Sequence, residues 1–387
     1  MGTTYKIEYL TENTIIKIFE TGKIDVITAE YHAAVNSAGS LSFKLSPLHA
    51  AYNSIETLVG IVVLIKNDKI IFKSRVYSIT IDNYNIKTVE CEGMLAVLND
   101  SIIKPYEYSE YKSLDGTKST QRFGNWIYQL TNNHNQQVTE NTHFFIPVMS
   151  DELRNLNFSC KNTSYSDTWS EIKSKFINEL DGYLWVEYNN ELLSLSTEQD
   201  VLHFDTTLSR ACNQEIKYAI NLSSIERKIC ADDFATAILP LGGEYETETG
   251  DKVKTSIASV NNNNEFLVND DAVKKYGRIN KVINFDGVLS PTELLKLAKN
   301  KLDEIISLSG NLSVKAVDLS IVDDTLDCFE IGQKVKIISE NHQTDMYAII
   351  SEYDIDLLQP QTAEYKLNSD FKSFVNITNQ TIYKIKE

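Results

Sequence analysis

Three kinds of side-chain arrangement would give this sequence chemistry. A nucleophile needs a base beside it, general acid–base hydrolysis needs two placed carboxylates, and a metal needs converging donors. Cys160 with His143 or His203 is the Cys/His combination the chain offers. An isolated cysteine usually behaves as a small buried hydrophobe, so Cys160 reads as core rather than nucleophile. The adjacent acidic pairs are Asp232-Asp233, Asp270-Asp271 and Asp323-Asp324. Paired catalytic carboxylates sit roughly 5 to 10 Å apart. Neighbours along a strand point to opposite faces, so adjacency does not build such a site and the pairs read as solvated turns. They lack EF-hand spacing for Ca²⁺. There is no G-x-S-x-G, no H-E-x-x-H and no P-loop, and Gly242-Gly243 reads as a tight turn rather than a phosphate cradle. The expectation is no catalytic residue, no cofactor site and no metal site.

The five cysteines, Cys91, Cys160, Cys212, Cys230 and Cys328, are far apart and odd in number, which reads as free thiols. The formal charge is −17. No Lys/Arg cluster offers the basic face that nucleic-acid binding needs, although acidic walls would keep DNA from adhering inside a conduit. The N-terminus lacks a signal-peptide apolar run, and no segment approaches the roughly 20 apolar residues of a membrane span.

The elements that would position these side chains are mostly strands. In the first hundred residues, Ile61–Ile65, Ile70–Phe72, Arg75–Asp82 and Ile86–Glu92 are short β-branched or alternating runs separated by turn residues. They predict an antiparallel meander able to close as a small barrel. The stretch 101–206 is mixed. A short helix is expected near Trp126, and another over 169–180, with Thr168 and Glu171 as a capping-box pair and Gly182 beyond its end. Trp169, Ile172, Phe176 and Leu180 make one apolar stripe there. Strands follow at Tyr183–Tyr188 and Glu191–Leu195.

A third region contains Phe234–Leu239. Residues 244–264 read as a polar loop ending in the asparagine run Asn261–Asn264. A long helix opens at Ser290 with Pro291 at its first position and Glu293 three residues on, presents Leu294, Ala298 and Leu302, and stops by Gly310. Strands return at Leu312–Leu319, Lys334–Ile338, Met346–Ile350 and Tyr353–Leu358. The reading is a β-rich α+β chain of two small β-barrels with inserted mixed segments. Its boundaries are a first barrel at 1–100, a mixed domain at 101–206, the second barrel at 207–243 and 311–387, and an insert at 244–310.

Six segments in order carry a family resemblance: Ala38–Leu45, Ile70–Val76, Val89–Gly93, Thr168–Leu184, Thr236–Gly242, and Glu330–Val335 with the late strand ending at Pro360. Together they resemble the tail-associated proteins of siphophages and prophages, the "prophage endopeptidase tail" or minor structural proteins, which are similar to the baseplate hub of contractile phages. The resemblance implies a homotrimeric virion protein at the distal end of the tail. Its three chains present six barrels to the six-fold distal tail ring, and it closes or gates the tube for DNA ejection. The implied partners are the distal tail protein, the tape measure, receptor-binding or baseplate proteins, and DNA in transit without specific binding. The endopeptidase label is not carried over, since relatives hold such activity in a C-terminal extension. Alternatives are a tail-associated cell-wall hydrolase, a carbohydrate-binding adhesin, or the hub of a contractile tail or bacteriocin.

Overall fold

The computed structural model describes residues 4–368, apart from 12–13, 109–110, 113–117, 120, 145–146, 190–199, 209, 230–233, 247–251, 286–287, 289, 307–309, 322, 324 and 343. The expected strand Glu191–Leu195 and the pair Asp232-Asp233 lie outside the described residues, as does Asp324 of the third acidic pair. The chain forms two compact units. One comprises residues 1–225 and 313–367, and the other is built on 226–312.

Thirteen strands of one sheet dominate the first unit. In chain order they are β1 Tyr5–Leu10, β2 Ile15–Glu20, β3 Thr28–Ala34, β4 Ser40–Leu45, β5 Ile61–Lys66, β6 Lys69–Ile81, β7 Lys87–Gly93, β8 Ile216–Lys217, β9 Leu222–Ile229, β10 Gly310–Ala316, β11 Lys334–Ser339, β12 Thr344–Asp356 and β13 Glu364–Asn368. The spatial order is β9-β10-β13-β12-β3-β4-β7-β6-β5-β1-β2, with β11 also on β12 and β8 on β11. The strands expected in two barrels are thus joined edge to edge in one curled sheet. The join is the antiparallel ladder between β12 and β3, which pairs Tyr353 with Ala33, Asp354 with His32 and Ile355 with Tyr31.

The alternation read from sequence is the burial pattern observed. In β7 every second residue, Lys87, Val89, Cys91 and Gly93, faces inward. Two runs separated in the sequence reading, 70–72 and 75–82, form the single strand β6. It pairs with β7, with the register shifting between Val76 and Ser78. Likewise Met346–Ile350 and Tyr353–Leu358 merge into β12. Gly93 closes β7 where a Cβ would lie 1.9 Å from the Ala38 carbonyl oxygen, so only glycine fits.

The mixed segment packs as an aromatic core. The helix Phe123–Asn135 buries Phe123, Trp126, Ile127 and Leu130. Phe123 lies 5.1 Å from Phe176 and 5.3 Å from Phe158, ring centre to ring centre, and Phe176 is 5.3 Å from Phe204. The helix expected over 169–180 is regular α only over Thr168–Ile172 and then widens into a π turn over Lys173–Asn178. Its cap is not the Thr168/Glu171 box. Asp167 caps it one residue earlier, accepting from the Ser170 amide at 2.7 Å. Thr168 and Glu171 are instead drawn inward, because each finds buried polar partners there. Gly182 lies against the Phe176 ring, with room for no Cβ.

In the second unit, the strand Ala237–Leu241 is flanked by Leu267–Val268 and, in parallel, Asn280–Asn284. The helix Pro291–Ile306 covers it, placing Ala298 and Leu302 against Ala235 and Ile238. The expected loop 244–264 is only partly a loop among the described residues. Glu244–Glu246 pairs with Lys252–Lys254, and Asn261–Asn264 is a turn whose Asn262 and Asn263 adopt positive φ.

Candidate functional site

Strand alternation brings aromatic rings from distant strands onto the inner face of the sheet. Tyr31 of β3 lies 5.0 Å from Phe72 of β6 and 5.7 Å from Tyr353 of β12, and Tyr353 lies 5.8 Å from Tyr365 of β13. They border a cavity of about 520 Å³ that Tyr5, Trp185 and Tyr188 also line. Burial raises the phenol pKa of Tyr31, Tyr353 and Tyr365, so these hydroxyls stay protonated.

A buried ion pair sits at the cavity wall. Lys66 ends the apolar strand β5, and its Nζ lies 3.3 Å from Asp318 Oδ2. Asp318 also accepts from Gln214 Nε2 at 2.9 Å, Ser320 N at 3.0 Å, Ser320 Oγ at 2.6 Å and Phe329 N at 3.3 Å. Burial pushes the Asp318 pKa up, but Lys66 and the Ser320 and Gln214 hydrogen bonds outweigh it and hold the carboxyl below the usual aspartate value. Burial works against the Lys66 ammonium, yet Tyr5 and Asp318 hold it above the ordinary lysine value. Both groups are therefore charged at neutral pH. A carboxylate held by five donors is poorly placed to accept a proton from a substrate. The arrangement is a tie between four chain segments rather than an acid–base centre.

The candidates read from sequence fare differently. Cys160 Sγ lies 3.4 Å from the Tyr106 hydroxyl, and burial pushes its thiol pKa up to about 11. His143 Nε2 meets the Val138 carbonyl, and His203 pairs with Glu187 and stacks on Trp185. The polar contacts of these three residues therefore lead to other partners. Asp270 and Asp271 open the helix Asp270–Tyr276, where their charge suits the helix N-terminus. The expected turn thus begins a helix.

Two Ser–His contacts escaped the sequence reading. Ser101 Oγ lies 2.8 Å from His134 Nδ1, with Thr168 Oγ1 2.6 Å away and His134 Nε2 on the Thr142 carbonyl. Ser339 Oγ lies 2.7 Å from His342 Nδ1, three residues on. Both serines are 0% exposed, which denies their oxygens a substrate. Glu171 is a further buried carboxylate. It accepts from Tyr106 Oη at 2.7 Å and Asn162 Nδ2 at 2.9 Å, while Trp126 Nε1 donates to Tyr106 Oη at 2.7 Å. The available sequence signal for Lys66 and Asp318 was a charge at the end of, or within, an otherwise apolar run. Its partner could not be read, being 252 residues away. Among the described residues, one trio places three metal-donor side chains together: His32, Glu352 and Asp354.

Solved structures share this fold from end to end. A tail protein from Neisseria meningitidis MC58 is 10% identical, with a TM-score of 0.63 over 95% of this chain and 97% of that one. The 43 kDa tail protein of prophage MuSo2 from Shewanella oneidensis is 9% identical, with a TM-score of 0.59 over 94% of this chain and 98% of that one. A prophage tail protein from Listeria monocytogenes EGD-e is 14% identical, with a TM-score of 0.56 over 99% of this chain and 100% of that one. The fold is that of phage tail proteins. Residues 210–378 match the family described as prophage endopeptidase tail, so the family resemblance read from the six segments holds. Among curated protein sequences nothing matches.

Proposed function

We propose that the chain is a structural hub of a phage or prophage tail, a homotrimer joining the six-fold distal tail ring to the tip and gating the tube for DNA ejection. The observation that carries this is the fold shared over nearly the full length with phage tail proteins. A sheet that binds its N-terminal strands to its C-terminal strands suits a part that must bear load, since many backbone hydrogen bonds must break together. No helix among the described residues is long and apolar enough to cross a membrane, in keeping with a virion part. The hub works without catalysis in this proposal. The sealed Ser101 and Ser339 oxygens and the raised Cys160 thiol support that reading.

Light scattering coupled to size exclusion tests it, with a species near three times 43.9 kDa expected, alone or on adding the distal tail protein. A chain that stays monomeric and does not bind that protein overturns the hub. Clearing of peptidoglycan in a zymogram would overturn the non-catalytic reading.

A further inference from the structure

The outer face of the β3–β12 ladder carries an unbalanced set of charges. Glu30 and His32 alternate with the buried Ala29, Tyr31 and Ala33, while Glu352, Asp354 and Asp356 alternate with the buried Tyr353 and Ile355. The ladder sets Asp354 opposite His32, and Asp356 opposite Glu30. Like charges directly opposite one another destabilise a ladder. Neither Glu30 nor Asp356 has an ion-pair partner among the described residues. Lys366 of β13 brings one ammonium, bonded to Glu352. Four carboxylates thus share two adjacent strands with one imidazole, and one ammonium reaches them from β13.

We propose that His32, Glu352 and Asp354 bind a divalent transition-metal ion of the Zn²⁺ type. One donor atom from each lies within 4.8 Å of the others, and His32 Nδ1 is already 2.8 Å from Asp354 Oδ1. Metal–ligand bonds of about 2.0–2.2 Å put the donors of a tetrahedral site roughly 3 to 3.5 Å apart, so small side-chain rotations complete the set. The backbone is already in place, because residues two apart on β12 and the residue opposite on β3 share one face by the pleat. An imidazole with two carboxylates favours Zn²⁺, Co²⁺ or Ni²⁺ over Mg²⁺ and Ca²⁺, which prefer all-oxygen ligands. Three protein donors leave a fourth position to water. The ion would release Lys366 from Glu352. That is a small loss, because the Lys366 side chain is half exposed and exposed ion pairs contribute little. It would cross-link residues 322 apart in sequence at the ladder joining the two ends of the chain, and stabilise the folded state by mass action. The site does not depend on the hub reading.

The full-length protein, stripped with a chelator and titrated with ZnCl₂ by calorimetry, should take up one equivalent with micromolar affinity and melt at a higher temperature. Mg²⁺ should do neither. His32→Ala should weaken Zn²⁺ binding at least about 100-fold, since loss of even an outer partner of a metal ligand costs roughly 10- to 100-fold. Asp354→Asn should weaken it as well, and Glu30→Gln, outside the donor set, should leave one equivalent bound. Metal-free melting of each variant matched to the parent keeps folding out of the comparison. No stoichiometric uptake, or uptake unchanged in both His32→Ala and Asp354→Asn, overturns the site.

Discussion

The sheet and the mixed segment of the first unit bury polar groups in opposite ways. The sheet holds a full ion pair, Lys66 with Asp318, drawn from strand and loop positions 252 residues apart. The mixed segment buries mainly neutral hydrogen bonds, Ser101 with His134 and Thr168, and surrounds Glu171 with neutral donors, while its other buried carboxylate among the described residues, Asp200, meets Lys73 of β6 at 2.6 Å. The neutral partners lie closer along the chain, at separations of 33 for Ser101 with His134 and 65 for Tyr106 with Glu171. The difference teaches where each region is vulnerable. A charge pair fails badly when one member is lost, whereas an aromatic core with neutral bonds fails by degrees.

The largest expected effect lies in the sheet. Asp318→Ala strands Lys66 in a buried site and should cost about 3–5 kcal/mol in chemical denaturation, whereas Lys66→Met with Asp318→Leu should recover most of it. If the double variant is as weak as the single, the ion pair is not the source of the loss and the contrast with the mixed segment fails. Gly93→Ala should follow at about 1–3 kcal/mol, because its new methyl meets the Ala38 backbone oxygen, which cannot swing aside as a side chain would. In the mixed segment, Asp167→Ala removes the true cap and should cost about 1 kcal/mol. Ser in its place should restore most of that, read from the same denaturation midpoints.

The smallest effect is in the pH profile, and it separates the two regions. Burial holds the His134 pKa below the ordinary histidine value, despite its bond to the Thr142 carbonyl. The unfolded chain therefore takes a proton first, and stability should fall as pH drops below about 6.5, the unfolded histidine value. Asp318 shifts in the same direction but acts in a more acidic window. Its carboxyl is depressed, so its contribution is complete above about 3.9, the unfolded aspartate value, and is lost as pH falls through the lower folded value. Midpoints at pH 7, 5.5 and 3 should show a shallow early loss that Asp318→Ala retains, and a steeper late loss that it reduces, the depressed carboxyls of Glu20, Asp68 and Asp323 supplying the remainder.

Local physics was legible where a pattern closes on itself within a few residues. Pro291 and Glu293 marked the start of the helix Pro291–Ile306, a β-branched apolar run marked β5, and alternation marked β7. The cap at 167 was misplaced by one residue because Thr168 is also a capping type and has Glu171 three residues on, the spacing of a capping box. Only the buried network around Ser101 reveals that the threonine hydroxyl is already committed. The split of β6 and β12 into shorter runs has a similar cause. Polar residues inside a long strand look like turns until a neighbouring strand accepts their backbone groups.

By itself the sequence determined the β-rich class, the positions of most strands and the long helix, and a family resemblance that rests partly on glycines. Gly93 and Gly332 are two of them, one barred from a side chain by the Ala38 carbonyl and one held at φ +80°. These follow from short-range sterics and the periodicity of burial, which any stretch of chain carries in itself. The tertiary structure alone decided that β3 lies beside β12, that Lys66 meets Asp318, and that His32 shares a face with Glu352 and Asp354. The physical reason is that strand pairing uses backbone groups common to every residue. Which edges meet is settled only when the whole buried surface is assembled at once.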